Sequence, residues 1–262
     1  MSKVQGRGRG WWRGAVSPVV VAILWELAVG AGLVRPSYLP PPSRLVARLT
    51  ALMAGGDLWG HLLVTLGRLG ASFVLAVVPA VAIGLALGMW RGVRLATEPI
   101  LTAFYAIPKI ALLPLVMLIL GVGERSLVAT AAITGFLQMI VSTMGGVLAV
   151  ERTVLEAGQN YGATGWRLFR YVLFPSALPE IFTGMRIGLS LTLVLVIAVE
   201  LTAAQEGLGA FLWNAGQTLA VDNLFCGFAV IGALGLVLTH GLDALGNLLM
   251  PWRERTSAAL FA

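Results

Sequence analysis

Six stretches of about twenty residues run along this chain with no more than one charged side chain each. They are Gly14–Leu33 with Glu26, Ala71–Trp90 with none, Ile100–Leu120 with Lys109, Ser126–Val150 with none, Ile181–Val199 with Arg186, and Asn223–Leu242 with none. A helix needs roughly 20 predominantly apolar residues to cross the hydrocarbon core of a bilayer. Lipid offers no partner to an open backbone, so only helices and closed barrels span it. The runs are continuous rather than alternating, which argues against a barrel. The expected fold class is all-α: one polytopic membrane domain over residues 1–262, with about six transmembrane helices.

Composition agrees. The chain is 58% hydrophobic and 11% charged, whereas soluble domains carry about 25% charged residues. Thirty-two glycines suit helices that approach one another closely in lipid. The net charge is +6, but the arginines are scattered between apolar runs. That argues against a nucleic-acid partner, which needs a clustered basic footprint. The single cysteine, Cys226, precludes an intrachain disulfide and a Cys-based metal site, and it reads as a small buried hydrophobe.

Basic residues flanking the spans set the orientation. With the N-terminus inside, the cytoplasmic side receives Lys3, Arg7, Arg9, Arg13, Arg91, Arg94, Arg152, Arg167, Arg170, Arg253 and Arg255. The outside keeps Arg35, Arg44, Arg48, Arg68 and Arg125. Eleven against five puts both termini in the cytoplasm. The first apolar run is longer than the usual h-region of about 7–15 residues in a cleaved signal peptide, so it is expected to stay as a span.

The outer segment Arg35–Arg68 has structure of its own. Pro40, Pro41 and Pro42 stop a helix leaving the first span. Ser43 is placed to cap a short helix over Arg44–Met53, whose Leu45, Val46, Leu49 and Leu52 recur at helical spacing. Leu58–Leu69 repeats the pattern and is expected to lie along the membrane interface, with Trp59 as an anchor.

The longest cytoplasmic connection, residues 151–180, separates spans four and five. Thr153–Tyr161 reads as a short helix that Gly162 ends in a left-handed conformation. Thr164 is placed to cap a second helix, Gly165–Leu173. Pro175 and Pro179 are then expected to break the chain before span five. The product is a helix–turn–helix knob with small residues Ala157, Gly158 and Gly162 for close approach and Glu156 for a basic or amide partner. An ordinary cytoplasmic loop is the plainer reading of the same residues.

This segment resembles the EAA loop of bacterial binding-protein-dependent ABC importers, whose pattern is E-A-A, three residues, G, nine residues, I-x-L-P. Glu156, Ala157, Gly162, Val172 and Pro175 fall in register, while Gly158 replaces the second alanine and Phe174 the leucine. Further blocks resemble the nitrate/sulfonate/taurine group: Leu39–Leu45, His61–Leu69, Ala106–Glu124, Ala177–Gly188, Ala198–Leu201 and Glu206–Gly209. The resemblance implies a type I importer permease fold in the bacterial inner membrane. It also implies a coupling helix formed by Glu156, Ala157, Gly158, Gly162 and Pro175 that fills a groove in an ATPase subunit. The implied assembly is a permease homodimer with two ATPase subunits, which bind the ATP and Mg, and an extracytoplasmic solute-binding protein. The group carries nitrate, sulfonates, taurine, bicarbonate and thiamine-pyrimidine precursors, and a small anion is expected here. A membrane scaffold that moves no solute is the alternative from another class.

Charges inside a membrane point to function by default. Lys109 lies between Pro108 and Pro114, and with Arg186 and Glu200 it is a candidate for the solute pathway. A structural reading stays open, in which Lys109 snorkels or pairs with Glu26 or Glu200. His240 and Asp243 read as a polar patch at the end of span six. No catalytic or metal site is expected. The stretch Gly184–Gly188 lacks the Lys-Ser/Thr of a phosphate-binding loop, and neither an H-E-x-x-H nor a G-x-S-x-G motif occurs.

Overall fold

A computed structural model of the chain describes residues 11–252, with residues 11–16 described by backbone alone. Lys3, Arg7, Arg9, Arg253 and Arg255, which enter the orientation argument, lie outside the described residues. The described residues form helices and no strands. In chain order these are α1 (Trp11–Gly30), α2 (Pro42–Gly55), α3 (Asp57–Met89) and α4 (Arg91–Ala106). A 3-10 turn (Lys109–Leu112) leads to α5 (Leu113–Leu120), α6 (Glu124–Leu148) and α7 (Arg152–Asn160). Then follow α8 (Trp166–Leu168), a π-helical turn (Phe169–Leu173), α9 (Phe174–Ala203), α10 (Leu208–Gln217) and α11 (Val221–Leu249).

Helix α6 is the axle of the fold, gripped between α3 and α9. Small residues set that grip. A Cβ added to Gly84 of α3 would come within 2.9 Å of the Ile140 carbonyl, and one on Gly188 of α9 within 3.3 Å of the Gly135 carbonyl. Backbones this close gain dispersion contact that lipid tails cannot match, which is how helices associate without a hydrophobic driving force. Around this trio, α2, α10 and α11 close a cluster built on Leu58, Leu69, Val196, Leu208, Leu212 and Cys226.

Four helices are long and apolar enough to span: α3, α6, the run from Trp166 to Ala203, and α11. The expected third span is a broken pair, since α4 and Lys109–Leu120 meet at 94°. The break falls at Ile107 (ψ 128) and Pro108 (ψ 110), both extended, because a residue before proline is pushed out of the helical region. Pro114 causes no second break, since it lies in the first turn of α5, where a proline has no helical hydrogen bond to lose. The first expected span corresponds to α1, a 20-residue helix over Trp11–Gly30.

Three local expectations are corrected. Leu58–Leu69 does not lie along the interface but forms the first turns of the 33-residue α3. Leu58, Leu62, Leu66 and Leu69 pack into a cluster with α2, α10 and α11, while Leu63 stays exposed. At 1.5 Å per residue α3 is about 50 Å long, well beyond a hydrocarbon core of about 30 Å. Pro175 and Pro179 do not break the chain either: one helical run continues from Trp166 to Ala203. The Phe174 N–H reaches back five residues to the Phe169 carbonyl, a π turn that lets Pro175 begin α9 in a position needing no donor.

Finally, neither Ser43 nor Thr164 caps a helix through its side chain. Ser43 gives its N–H (3.0 Å) and hydroxyl (2.7 Å) to the Glu26 carboxylate. The charge within the first apolar run thus sits at the N-terminus of α2, where the helix dipole favours it. At Thr164 the carbonyl, not the hydroxyl, accepts the Arg167 N–H (3.0 Å).

Candidate functional site

Three groups of polar or small residues stand out, one at each end of the bundle and one between. At the first end α7 stops at Asn160 and the chain reverses through Gly162, whose φ of +84° is open to glycine at little cost. The Ala163 N–H donates to the Gly158 carbonyl (3.0 Å) and the Gly162 N–H to the Gln159 carbonyl (2.9 Å). That is the paired bonding of a Schellman stop, which satisfies the orphan carbonyls of the last helical turn.

The knob is held shut by close packing. A Cβ on Gly158 would stand 2.8 Å from Val172 Cγ2 and 3.2 Å from Leu168 Cδ1, so the glycine that replaces alanine makes room for the valine opposite. Glu156 and Ala157 face outward, and Glu156 accepts from Arg152 Nε at 2.7 Å in an exposed pair. Pro175 is half-buried at the start of α9. Tyr161, Trp166 and Tyr171 are 93%, 69% and 71% exposed. Large aromatic surface left open in this way marks an interaction site.

At the opposite end lies a buried ionic network. Glu200, with no exposed surface, accepts from Arg68 Nη1 (2.9 Å), Thr65 Oγ1 (2.9 Å) and the Gly209 N–H (2.9 Å). Arg68 also donates to Glu124 through Nε (2.8 Å) and Nη2, and to the Glu206 carbonyl (2.6 Å). The Gly207 N–H donates to His61 Nδ1 at 3.1 Å. Gly207 holds a φ of +111° directly against the Glu200 carboxyl group, leaving no room for a side chain.

Glu200 is therefore a strut between α3, α9 and α10, and its side chain lines no open route. Arg68, counted as a flanking charge by sequence, is a 6%-exposed member of the same strut. The signal that marks it is the spacing of His61, Thr65, Arg68 and Ser72, one polar stripe along an otherwise apolar helix.

Between the two ends, the Tyr105 hydroxyl donates to Gln138 Oε1 (2.6 Å). Lys109 Nζ donates to the Tyr105 carbonyl (2.7 Å) and stands 5.0 Å from the centroid of its ring. Neither pairing expected for Lys109 occurs, because Glu26 is taken by Ser43 and Glu200 by Arg68 and Thr65. Among the described residues Lys109 makes no ion pair. An uncompensated lysine near mid-membrane costs about 2.5–3.5 kcal/mol on insertion scales. Arg186 lies apart from Lys109 and pairs with Asp243 at 3.4 Å, tying α9 to α11. The three expected pathway residues thus have three separate surroundings.

The described residues thus form a helical bundle of spanning length with an exposed helical hairpin at one end. The chain belongs to the family of binding-protein-dependent transport system inner membrane components, whose model matches residues 72–255. It is 34% identical to the taurine transport system permease protein TauC of Escherichia coli over 239 residues, 89% of this chain and 86% of that one. It is 32% identical to the riboflavin transport system permease protein RibX of Chloroflexus aurantiacus, covering 90% of this chain and 88% of the other. Among solved structures it is similar to a chain of the inward-facing MetNI methionine ABC transporter, with a TM-score of 0.61 and 19% identity. That match covers 82% of this chain and 99% of the other. The fold is that of a type I ABC importer permease, and the chain is the permease subunit of an ABC importer.

Proposed function

We propose that this subunit carries a small anion across the bacterial inner membrane, driven by ATP that two partner ATPase subunits bind and hydrolyse with Mg. An extracytoplasmic binding protein delivers the solute, and two copies of the chain form the pathway between them. The α7 knob lies in the cytoplasm with both termini, and the surface from α10 to Asp222 faces outward.

The observation that carries this reading is the join between the knob and α9. Glu156, Ala157, Gly158 and Gly162 sit on a compact hairpin packed through Gly158 against Val172. From Trp166 that hairpin runs without a break into a 38-residue helix ending at Ala203. At 1.5 Å per residue this rod is about 57 Å long, so a push on the knob at one end is delivered to the Glu200 strut at the other. Aromatic exposure at Tyr161, Trp166 and Tyr171 supports a gripping partner over a bare loop, and the transport permeases among the relatives favour an importer over a scaffold that moves no solute. The taurine permease relative and the unpaired Lys109 support an anion, with a sulfonate, taurine or nitrate as the candidates. The riboflavin permease relative keeps a second reading, a heterocyclic vitamin precursor of the thiamine-pyrimidine kind.

The test is uptake by the reconstituted importer carrying Glu156→Lys or Gly162→Val. Loss of ATP-dependent uptake with normal membrane insertion is expected for both. Uptake at the unaltered rate in both variants would remove the coupling role.

A further inference from the structure

Among the described residues of the expected spans, Lys109 is a positive charge without a counter-ion, and we propose that it forms, with Tyr105 and Gln138, a site that binds the oxyanion group of the solute. This rests on the reading of the chain as a permease and names the residues that meet the cargo. Gln138 lies fourteen residues from the start of α6 at Glu124 and ten from its end at Leu148, which is about 21 Å and 15 Å along the axis. Those distances put the group well inside a hydrocarbon core of about 30 Å, deeper than a lysine stem can snorkel from. A lipid headgroup does not come to that depth, so the ligand is a solute in a water-filled passage.

The donors point the same way. One N–H of Lys109 closes on the Tyr105 carbonyl at the end of α4, leaving two more on the ammonium. The Gln138 Nε2 group makes only a 3.4 Å contact with Ser142, while its oxygen is fixed by the Tyr105 hydroxyl. The amide is therefore oriented with its donors available. Four residues before Gln138, on the same face of α6, Thr134 holds a buried hydroxyl with no partner. Helix α4, which supplies Tyr105, buries none of its residues, so this face is open in the single chain. No carboxylate forms an ion pair with Lys109 among the described residues. An ammonium and an amide, held on either side of Tyr105 without an acid, fit a compact monoanion bearing several acceptor oxygens, the chemistry of a sulfonate.

Lys109 and Lys3 are the only lysines in the chain, so the site can be read by chemistry. The full-length chain in lipid nanodiscs is treated with a small amine-acylating reagent at increasing methanesulfonate, and acylation of Lys109 is measured by mass spectrometry. Methanesulfonate is expected to protect Lys109 saturably, and neutral methanesulfonamide to give no protection. Gln138→Leu is expected to raise the half-protecting concentration about tenfold, the loss of one hydrogen bond to a charged group, and Tyr105→Phe, which frees the Gln138 amide to turn, to raise it less. Circular dichroism confirms that each variant is folded before it is scored. Equal protection by the neutral analogue, no protection by the anion, or a Lys109 that never reacts would each overturn the site. The footprint uses neither ATP nor a partner protein, so its failure leaves coupling through α7 standing, and failed coupling leaves the footprint standing.

Discussion

Removing Arg68 is expected to cost far more than removing Glu124, although the two form an ion pair. Arg68 is 6% exposed and bridges two carboxylates, Glu200 with no exposure and Glu124 with 65%. Arg68→Met strands the Glu200 carboxylate in the bundle with only Thr65 and the Gly209 N–H as donors. Breaking a buried pair by deleting one partner costs about 3–5 kcal/mol. Glu124→Ala removes a partner at the rim, where solvent already screens the charge, and costs about 0.2–1 kcal/mol. Glu200→Gln falls between them at about 1–3 kcal/mol, because the amide keeps the packing and loses acceptors facing Arg68 and Thr65. Unfolding in mixed micelles titrated with a denaturing detergent, followed by tryptophan fluorescence, gives all three values. A Glu124→Ala loss as large as that of Arg68→Met would mean that the arginine serves the outer turn, and the strut would be refuted.

Other consequences follow from the same geometry. Gly158→Ala is expected to impair ATP-coupled uptake because its methyl meets Val172, and the double variant Gly158→Ala/Val172→Ala is expected to recover it. A side chain at Gly162 must hold a φ of +84°, so Gly162→Ala costs about 1–2 kcal/mol of knob stability, seen as faster amide exchange at Ala163. Gly188→Leu forces apart backbones that meet at Gly135 and is expected to abolish folded protein in detergent extracts. Glu26→Gln weakens the hold on Ser43, and hydrogen exchange in the first turn of α2 should quicken while that of α6 does not change.

The apolar runs announced the spanning helices because lipid permits no other solution for an unpaired backbone. Prolines were harder to read. Pro108 bends the chain by 94°, whereas Pro175 sits in a helix that carries straight on. Both have the same covalent restriction; what differs is the packing behind them. Helix α9 is pinned to α6 by Ala177, Ile181 and Gly184, so a π turn absorbs the ring. Helix α4 has no buried residue to hold it in line.

Leu58–Leu69 has a periodicity that suits a membrane interface and a protein interior equally, and only the cover from α10 and α11 decides between them. The partners of Glu200 lie 132 and 135 residues away in α3, out of reach of any local pattern. The Tyr105–Gln138 bond is hidden for the same reason. The hairpin at Gly162 was legible because its geometry is local and only a few residues can make it.

The central claim is that α7 is the part of this chain gripped by the ATP-hydrolysing subunit. Replacing Ala157 by cysteine in a chain whose Cys226 is serine, and crosslinking within the assembled importer, tests it most directly. Crosslinks to the ATPase subunit whose yield changes with ATP are expected. A cysteine at position 157 that reacts only with outside-facing reagents, and never captures the ATPase, would contradict the account.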